Sequence, residues 1–230
     1  MNTPGSKVQI GCGAGPLPGW INIDNSPSVR IARLPRASGL VESLGGALGL
    51  IGPANRAVIA AARAHGVLWG DARHLPLPDN CAAVVYSAHM LEHLPDRPLG
   101  QGGARDALAE MYRILVPGGW LRLVLPNFHI HAQAYLSGQQ DLDRTLARLD
   151  LATPVAEGAA ACIKAWLSGP RHHLHAYDPD SLARRLRDTG FGEVTTLTAG
   201  DTGIESLRHD PDLDLAHRSE ESLYVEARKP

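Results

Sequence analysis

Cysteine and aromatic residues are scarce in this sequence. The three cysteines, Cys12, Cys81 and Cys162, form no C-x-x-C pair, and their odd number argues against an extracellular disulfide framework. We expect reduced thiols that serve as small core residues. No apolar run approaches the roughly 18 residues of a membrane span, and residues 1–7 lack the basic and apolar parts of a secretory leader. The sequence therefore predicts a cytoplasmic protein that makes no membrane contact.

An excess of charge of either sign is also lacking. The 230 residues carry 22 Lys and Arg against 24 Asp and Glu, and apolar residues make up 44%. This balance favours neither a nucleic-acid partner nor binding to an anionic membrane surface. The length is sufficient for one domain with a substantial core. We expect a single domain over residues 1–230 that is a monomer or a homodimer.

Strand and helix signals alternate along most of the chain. Helices are predicted at residues 105–115 and 179–189, the second between an Asp178 N-cap and a stop at Gly190. The predicted strands cover residues 7–11, 20–24, 67–70, 82–87, 120–125, 193–197 and 222–228. Such alternation is typical of parallel strands joined by crossover helices. The predicted fold class is α/β: a doubly wound, Rossmann-like sheet of about seven strands, mostly parallel, with a helical cap insertion.

Two stretches depart from this alternation, at about residues 28–66 and 129–170, and we predict that they form cap or lid segments. Within the first, the segment from Leu40 to Gly52 is apolar apart from Glu42 and Ser43. It is too short to cross a bilayer. A buried helix or loop and a mobile apolar lid over a ligand both explain it.

Three glycines at alternate positions follow the first predicted strand. Gly11, Gly13 and Gly15 have no Cβ, so the backbone can turn tightly there and approach a ligand closely. Asp24 ends the second strand, where an acidic side chain in such folds accepts hydrogen bonds from ribose hydroxyls. Each feature also suits an ordinary turn. Together they favour a nucleotide ligand.

Asp71 and Ala72 follow the third predicted strand. A carboxylate at this place can accept a hydrogen bond from an adenine amino group, and the next backbone N–H can donate to a ring nitrogen. The order of the glycine loop, Asp24 and Asp71 along the chain therefore favours a ligand of the adenosine type.

With these motifs in order, the sequence from Lys7 to about Phe128 resembles class I S-adenosylmethionine-dependent methyltransferases of the type 11 kind. Residues 88–94 (AHMLEHL) and 115–119 (LVPGG) add to the resemblance. It implies S-adenosyl-L-methionine as the cofactor. The residues it implies as cofactor contacts are Gly11, Gly13 and Gly15 at the amino-acid part, Asp24 at the ribose, Asp71 and Ala72 at the adenine, and Ser87 near the methionyl end. The run Gly19 to Asp24 is similar to a subgroup of carbohydrate and natural-product tailoring enzymes, which points to secondary metabolism.

Two features depart from the family pattern. Only nine residues separate Gly11 from Ile21, whereas a parallel crossover usually needs about a dozen, so the first helix should shrink to about one turn. Ala82 and Ala83 stand where the family often has an aromatic residue and an aspartate. Neither change removes a predicted cofactor contact.

Polar and aromatic residues cluster after the fifth strand and again at residues 172–177. Residues just past strand ends face the ligand crevice in this fold, and we expect the two clusters to converge there. The candidates for substrate contact or catalysis are His89, Asn127, His129, His173 and Tyr177. A metal site needs three or four converging ligands, and the H-x-H pairs alone do not predict one, so we expect no metal.

The predicted function is methyl transfer to a small-molecule substrate, with a histidine as the general base if the acceptor is a hydroxyl. One alternative keeps the cofactor but breaks another bond: attack on its aminocarboxypropyl carbon releases methylthioadenosine, and cyclisation of that kind would form azetidine-2-carboxylate. A second alternative is a cofactor-binding subunit without chemistry of its own. An exposed apolar segment from Leu40 to Gly52 would favour the second.

Overall fold

The computed structural model describes residues 5–34, 37–95, 103–151, 172–208, 213–214 and 221–230. One sheet of seven strands organises this part of the chain, in the order β3-β2-β1-β4-β5-β7-β6. The strands are β1 (Ser6–Ile10), β2 (Ile21–Asp24), β3 (Leu68–Trp69), β4 (Ala82–Ala88), β5 (Leu115–Pro126), β6 (Val194–Leu197) and β7 (Ser222–Arg228). The predicted doubly wound α/β class is confirmed.

Strands β1 to β5 are parallel, and β7 runs antiparallel to both β5 and β6. The carboxyl ends of β1, β2, β4 and β5 therefore meet at one edge of the sheet. β4 is the fourth of the seven strands and therefore central. Its neighbouring residues Val85 and Tyr86 are buried on opposite faces of the sheet, one in each of the two main hydrophobic clusters. Ligands of open parallel sheets bind outside this carboxyl edge.

Helices connect the strands and cover the sheet. They are α1 (Pro27–Ala32), α2 (Ser38–Ala47), α3 (Pro53–His65), α4 (Ala104–Ile114), α5 (Phe128–Leu136), α6 (Leu142–Arg148) and α7 (Pro179–Thr189), with 3₁₀ turns at Leu91–His93 and Glu205–Leu207. No helix in the described ranges is both long enough and apolar enough to span a membrane.

The caps of α7 confirm the sequence prediction. The Asp178 side chain accepts a hydrogen bond from the Ser181 backbone N–H at 2.9 Å, and the Ser181 hydroxyl lies 3.2 Å from the Asp178 N–H, which forms a reciprocal capping box. At the other end Gly190 has φ +113° and ends the helix in the left-handed region. Because both signals are local, they could be read from the sequence.

The connection between β1 and β2 differs from the expected turn of helix. Residues 11–20 contain turns and no helix. Buried side-chain hydrogen bonds support them instead: the Leu17 N–H donates to Gln9 Oε1 at 2.8 Å and to Asn22 Oδ1 at 3.0 Å. The two strands are therefore joined in parallel through a loop held by two polar side chains.

The two predicted cap segments have different positions. Residues 28–66 contain most of α1 and all of α2 and α3, and α3 buries Ile59 and Ala62 as an ordinary crossover helix. α2 buries no residue, and Leu40, Leu44 and Leu48 are 64%, 56% and 71% exposed. The expectation of a buried helix is wrong there. Of the second segment, residues 152–170 lie outside the described residues, and the rest forms most of α5 and all of α6.

A buried ion-pair network ties β5 to β7. The guanidinium of Arg122 is 1% exposed and lies 2.7 Å from Glu226 Oε1 and 2.5 Å from Asp214 Oδ2. Its Nη1 also donates to the Asp201 carbonyl at 3.0 Å. A buried cation with so many acceptors is well compensated, so this network fixes the antiparallel end of the sheet.

Candidate active site

The glycine loop lies at the carboxyl end of β1, as predicted. Gly11 and Gly13 have φ of +76° and +52°, values that favour glycine. A Cβ on Gly11 would lie 2.5 Å from Met90 Cγ, whereas one on Gly13 would meet no atom within 4 Å. Gly15 has no positive φ, and its Cβ would be 3.8 Å from the nearest atom. Two of the three glycines are therefore required by the backbone, and Gly13 faces open space.

Asp24 ends β2 beside this loop and is buried. Its Oδ2 accepts a hydrogen bond from the Gly13 N–H at 2.9 Å, and its Oδ1 accepts one from the Ser26 N–H at 2.8 Å. The carboxylate thus shapes the glycine loop and keeps two lone pairs for further donors. Burial, and secondarily Asp24, raises the pKa of the Cys12 thiol to about 12, so Cys12 is a neutral thiol.

Asp71 follows β3, and Ala72 next to it is buried. The Asp71 carboxylate is engaged by Arg73, which donates from Nε at 2.9 Å, from Nη2 at 2.5 Å and from its backbone N–H at 2.9 Å. These hydrogen bonds hold the pKa of Asp71 below its usual value. The predicted adenine contact would have to use the remaining acceptor capacity of an ionised carboxylate.

The end of β4 holds Ser87 and His89. The buried Ser87 hydroxyl donates to the Ile10 carbonyl at 3.0 Å and so joins β4 to the end of β1. The backbone of His89 has φ +50°, which is uncommon for a residue other than glycine. Its Nε2 lies 3.1 Å from the Ser222 hydroxyl and its Nδ1 3.3 Å from Glu92 Oε1. Each ring nitrogen therefore lies beside a polar group, and Nδ1 faces the Glu92 carboxylate.

Glu92 is the central site residue to which the sequence assigned no role. Its side chain is 1% exposed and lies within 3.7 Å of His173 Nε2 as well as beside His89. His93 contacts His173 edge to face, with ring centroids 5.0 Å apart. The signal in the sequence was the H-x-x-E-H spacing of residues 89–93, but His173 joins it only through the tertiary fold.

The two polar clusters do converge in part. Asn127 caps α5 and pairs with Tyr177 in an isolated parallel bridge, and the Phe128 N–H donates to the Tyr177 carbonyl at 3.0 Å. The Tyr177 side chain does not face the crevice as expected, because it belongs to the buried core. Its ring packs against that of His175, with the ring centroids 4.6 Å apart. His129 is exposed on α5. A direct substrate contact by Tyr177 would require its ring to become accessible.

Burial lowers the pKa of His173 and of His131, since a charged imidazole is disfavoured away from water. At His173 the nearby Glu92 opposes this effect, as a secondary cause. Both imidazoles are therefore neutral at neutral pH, and a neutral imidazole can accept a proton or bind a metal.

Comparison with known proteins supports the predicted resemblance. Residues 51–123 match a family model described as a methyltransferase domain. No curated protein matches the chain significantly. The matched residues contain Asp71, Ala72, Ser87, His89 and Glu92, which belong to the edge described above.

Solved structures share the fold. A Thermotoga maritima protein described as an S-adenosylmethionine-dependent methyltransferase and possible histamine N-methyltransferase has a TM-score of 0.52 at 18% identity, over 98% of this chain and 83% of that chain. A chain of the Haloferax volcanii complex between the Trm112 methyltransferase activator and a methyltransferase has a TM-score of 0.50 at 16% identity, over 100% and 84%.

The chain thus has a Rossmann-like α/β fold whose carboxyl edge carries a glycine loop and two strand-end aspartates. The resemblance to S-adenosylmethionine-dependent methyltransferases is confirmed by the methyltransferase-domain match over residues 51–123. The narrower similarity to natural-product and carbohydrate tailoring enzymes stays a prediction.

Proposed function

We propose that this protein binds S-adenosyl-L-methionine and transfers its methyl group to a small-molecule acceptor. The observation that carries the proposal is the glycine loop joined to Asp24 by the 2.9 Å hydrogen bond from the Gly13 N–H. The methyltransferase-domain match begins at residue 51 and covers other residues of the same edge, Asp71 and Ser87 among them. One solved structure of the same fold is described as an S-adenosylmethionine-dependent methyltransferase.

The residues at the edge are compatible with the cofactor. Gly13 has open space where a Cβ would stand, so a ligand can approach its backbone. Asp24 keeps acceptor capacity for ribose hydroxyls, and Ser87 and His89 lie at the end of the neighbouring central strand. The cofactor supplies a methyl group on a positively charged sulfonium, and the chain has to orient the acceptor and exclude water.

A buried histidine is the expected proton acceptor if the acceptor group is a hydroxyl. His89 and His173 both lie against Glu92, and a carboxylate beside an imidazole stabilises the protonated ring that results. His129 is exposed and stands apart from this group. The structure therefore favours His89 and His173 over His129 for this role.

Binding and product analysis test the proposal. Calorimetry should give a dissociation constant in the micromolar range, about -8 kcal/mol, for S-adenosylmethionine or S-adenosylhomocysteine. Incubation with the cofactor and candidate acceptors should release S-adenosylhomocysteine. Methylthioadenosine as the product would identify the aminocarboxypropyl alternative instead. Absence of both a calorimetric heat and a thermal shift at millimolar cofactor would refute the proposal.

One observation favours a second candidate, a cofactor-binding subunit that supports a partner. Leu40, Leu44 and Leu48 in the α2 region are more than half exposed and offer a partner an apolar surface. Tight cofactor binding with no turnover across acceptors, and turnover restored by a copurifying partner, would favour this candidate.

A further inference from the structure

The carboxylate of Glu92 is the least compensated buried group at the site. Both of its oxygens are inaccessible, and neither accepts a hydrogen bond from any residue in the described ranges. Two ring nitrogens lie close to Glu92 Oε1, His89 Nδ1 at 3.3 Å and His173 Nε2 at 3.7 Å. A buried charge is costly unless it is paired or coordinates a metal ion. This carboxylate therefore indicates a missing cationic partner.

Two histidines complete a set of metal-ligating atoms around Glu92. One atom each from Glu92, His93 and His173 lies within 4.8 Å of the other two. Ligands about 2.1 Å from a tetrahedral ion lie about 3.4 Å apart, so small side-chain movements would close the set around an ion. Glu92 and His93 come from the 3₁₀ turn after β4, and His173 comes from the segment before α7.

Hydrogen bonds orient both imidazoles for such a role. His173 Nδ1 lies 2.6 Å from the Leu149 carbonyl, and His93 Nδ1 lies 3.3 Å from the His172 carbonyl. A carbonyl only accepts, so the proton sits on Nδ1 in each ring and the lone pair on Nε2. Metal-ligating histidines usually donate their second nitrogen to a carbonyl or carboxylate in this way.

We propose that Glu92, His93 and His173 bind one divalent transition-metal ion, with Zn²⁺ as the ion to test first. Two imidazoles and one carboxylate suit zinc, iron or nickel rather than Mg²⁺, which prefers oxygen ligands. Three protein ligands leave a position open, as in zinc sites that act on a substrate. The proposal departs from the sequence-based expectation of no metal, because the third ligand lies about eighty residues from the other two in the chain.

The location suggests what the open position would bind. The cluster follows β4, next to His89 and at the edge where an acceptor would lie, and an oxygen of the acceptor could occupy that position. This role rests on the proposed function. His173 would then be a ligand, which leaves His89 as the proton acceptor.

Metal binding by the full chain tests the site without an acceptor. The chelator-treated protein is titrated with Zn²⁺ in competition with a chromophoric chelator, and with Co²⁺ followed by visible absorption. We expect one ion per chain and a Co²⁺ spectrum of low coordination number. Glu92→Gln, His93→Ala and His173→Ala should each weaken binding more than about tenfold. His65→Ala, an exposed histidine on α3, is the matched control and should bind as the unaltered protein does.

Two outcomes would overturn the inference: less than one ion bound per chain by the unaltered protein, or binding that all three variants retain. Circular dichroism of each variant separates loss of a ligand from loss of fold, and the stoichiometry of the unaltered protein decides the question if a variant does not fold. Calorimetry with S-adenosylmethionine on the metal-free protein tests the proposed function separately. A chain that binds this cofactor but no metal contradicts only the metal site.

Discussion

Replacing Gly11 with alanine should destabilise the protein strongly, for two reasons visible in the structure. The residue has φ +76°, and a left-handed backbone costs a residue with a Cβ about 1–2 kcal/mol. The added Cβ would lie 2.5 Å from Met90 Cγ and 2.7 Å from its Cβ, and relieving such an overlap costs about 1–3 kcal/mol. The sum is about 2–5 kcal/mol in the free energy of unfolding.

Two neighbouring glycines serve as matched controls that separate these costs. Gly13→Ala has a φ of +52° but no overlap, so it should lose only about 1–2 kcal/mol. Gly15→Ala has neither cost and should be neutral or slightly stabilising. At about 2–4 °C per kcal/mol, calorimetric melting should place Gly11→Ala at least about 4 °C below the unaltered protein. Equal melting temperatures for the Gly11 and Gly15 variants would refute the reasoning.

Three further predictions concern buried polar groups. Asp24→Ala should weaken S-adenosylmethionine binding by about 1.5–3 kcal/mol in calorimetry, because hydrogen bonds to a carboxylate are lost. Arg122→Met should lower the free energy of unfolding in urea by about 3–5 kcal/mol, since Glu226 keeps a buried charge without its cation. Burial lowers the pKa of His131, so below about pH 6.5 the unfolded chain binds a proton that the folded chain does not. The free energy of unfolding should therefore decrease as the pH falls below about 6.5, and His131→Leu should reduce that decrease.

Each of these has a result that would count against it. Unchanged cofactor affinity in a folded Asp24→Ala variant would show that this carboxylate has no contact with the ligand. Arg208→Ala is the control for Arg122→Met, because it removes an exposed ion pair with Glu205. If Arg122→Met lowers the free energy of unfolding no more than this control does, the buried network does not stabilise the protein. The control for His131→Leu is His129→Leu, which replaces an exposed histidine. If the free energy of unfolding depends on pH equally in the two variants, His131 does not cause the loss of stability at low pH.

Local signals in the sequence were sufficient for most of the fold. α7 is confirmed at Pro179–Thr189 because its caps involve residues within a few positions of each end. β7 is likewise confirmed at Ser222–Arg228. The first connection was wrong in detail, since buried contacts of Gln9 and Asn22 replace the expected helical turn. Such contacts join residues that no periodicity relates.

The sequence by itself determined the α/β class, the place of the glycine loop and Asp24 at adjacent strand ends, and the methyltransferase resemblance, because strand periodicity and glycine spacing are short-range properties. Only the tertiary structure decided that Leu40, Leu44 and Leu48 stay exposed, since burial depends on which surfaces meet. It also decided that His173 meets Glu92 and His93. This contact joins segments about eighty residues apart in the chain, because the backbone N–H groups of Leu174 and His175 donate to the Glu92 carbonyl at 2.8 and 3.2 Å and hold the two segments together.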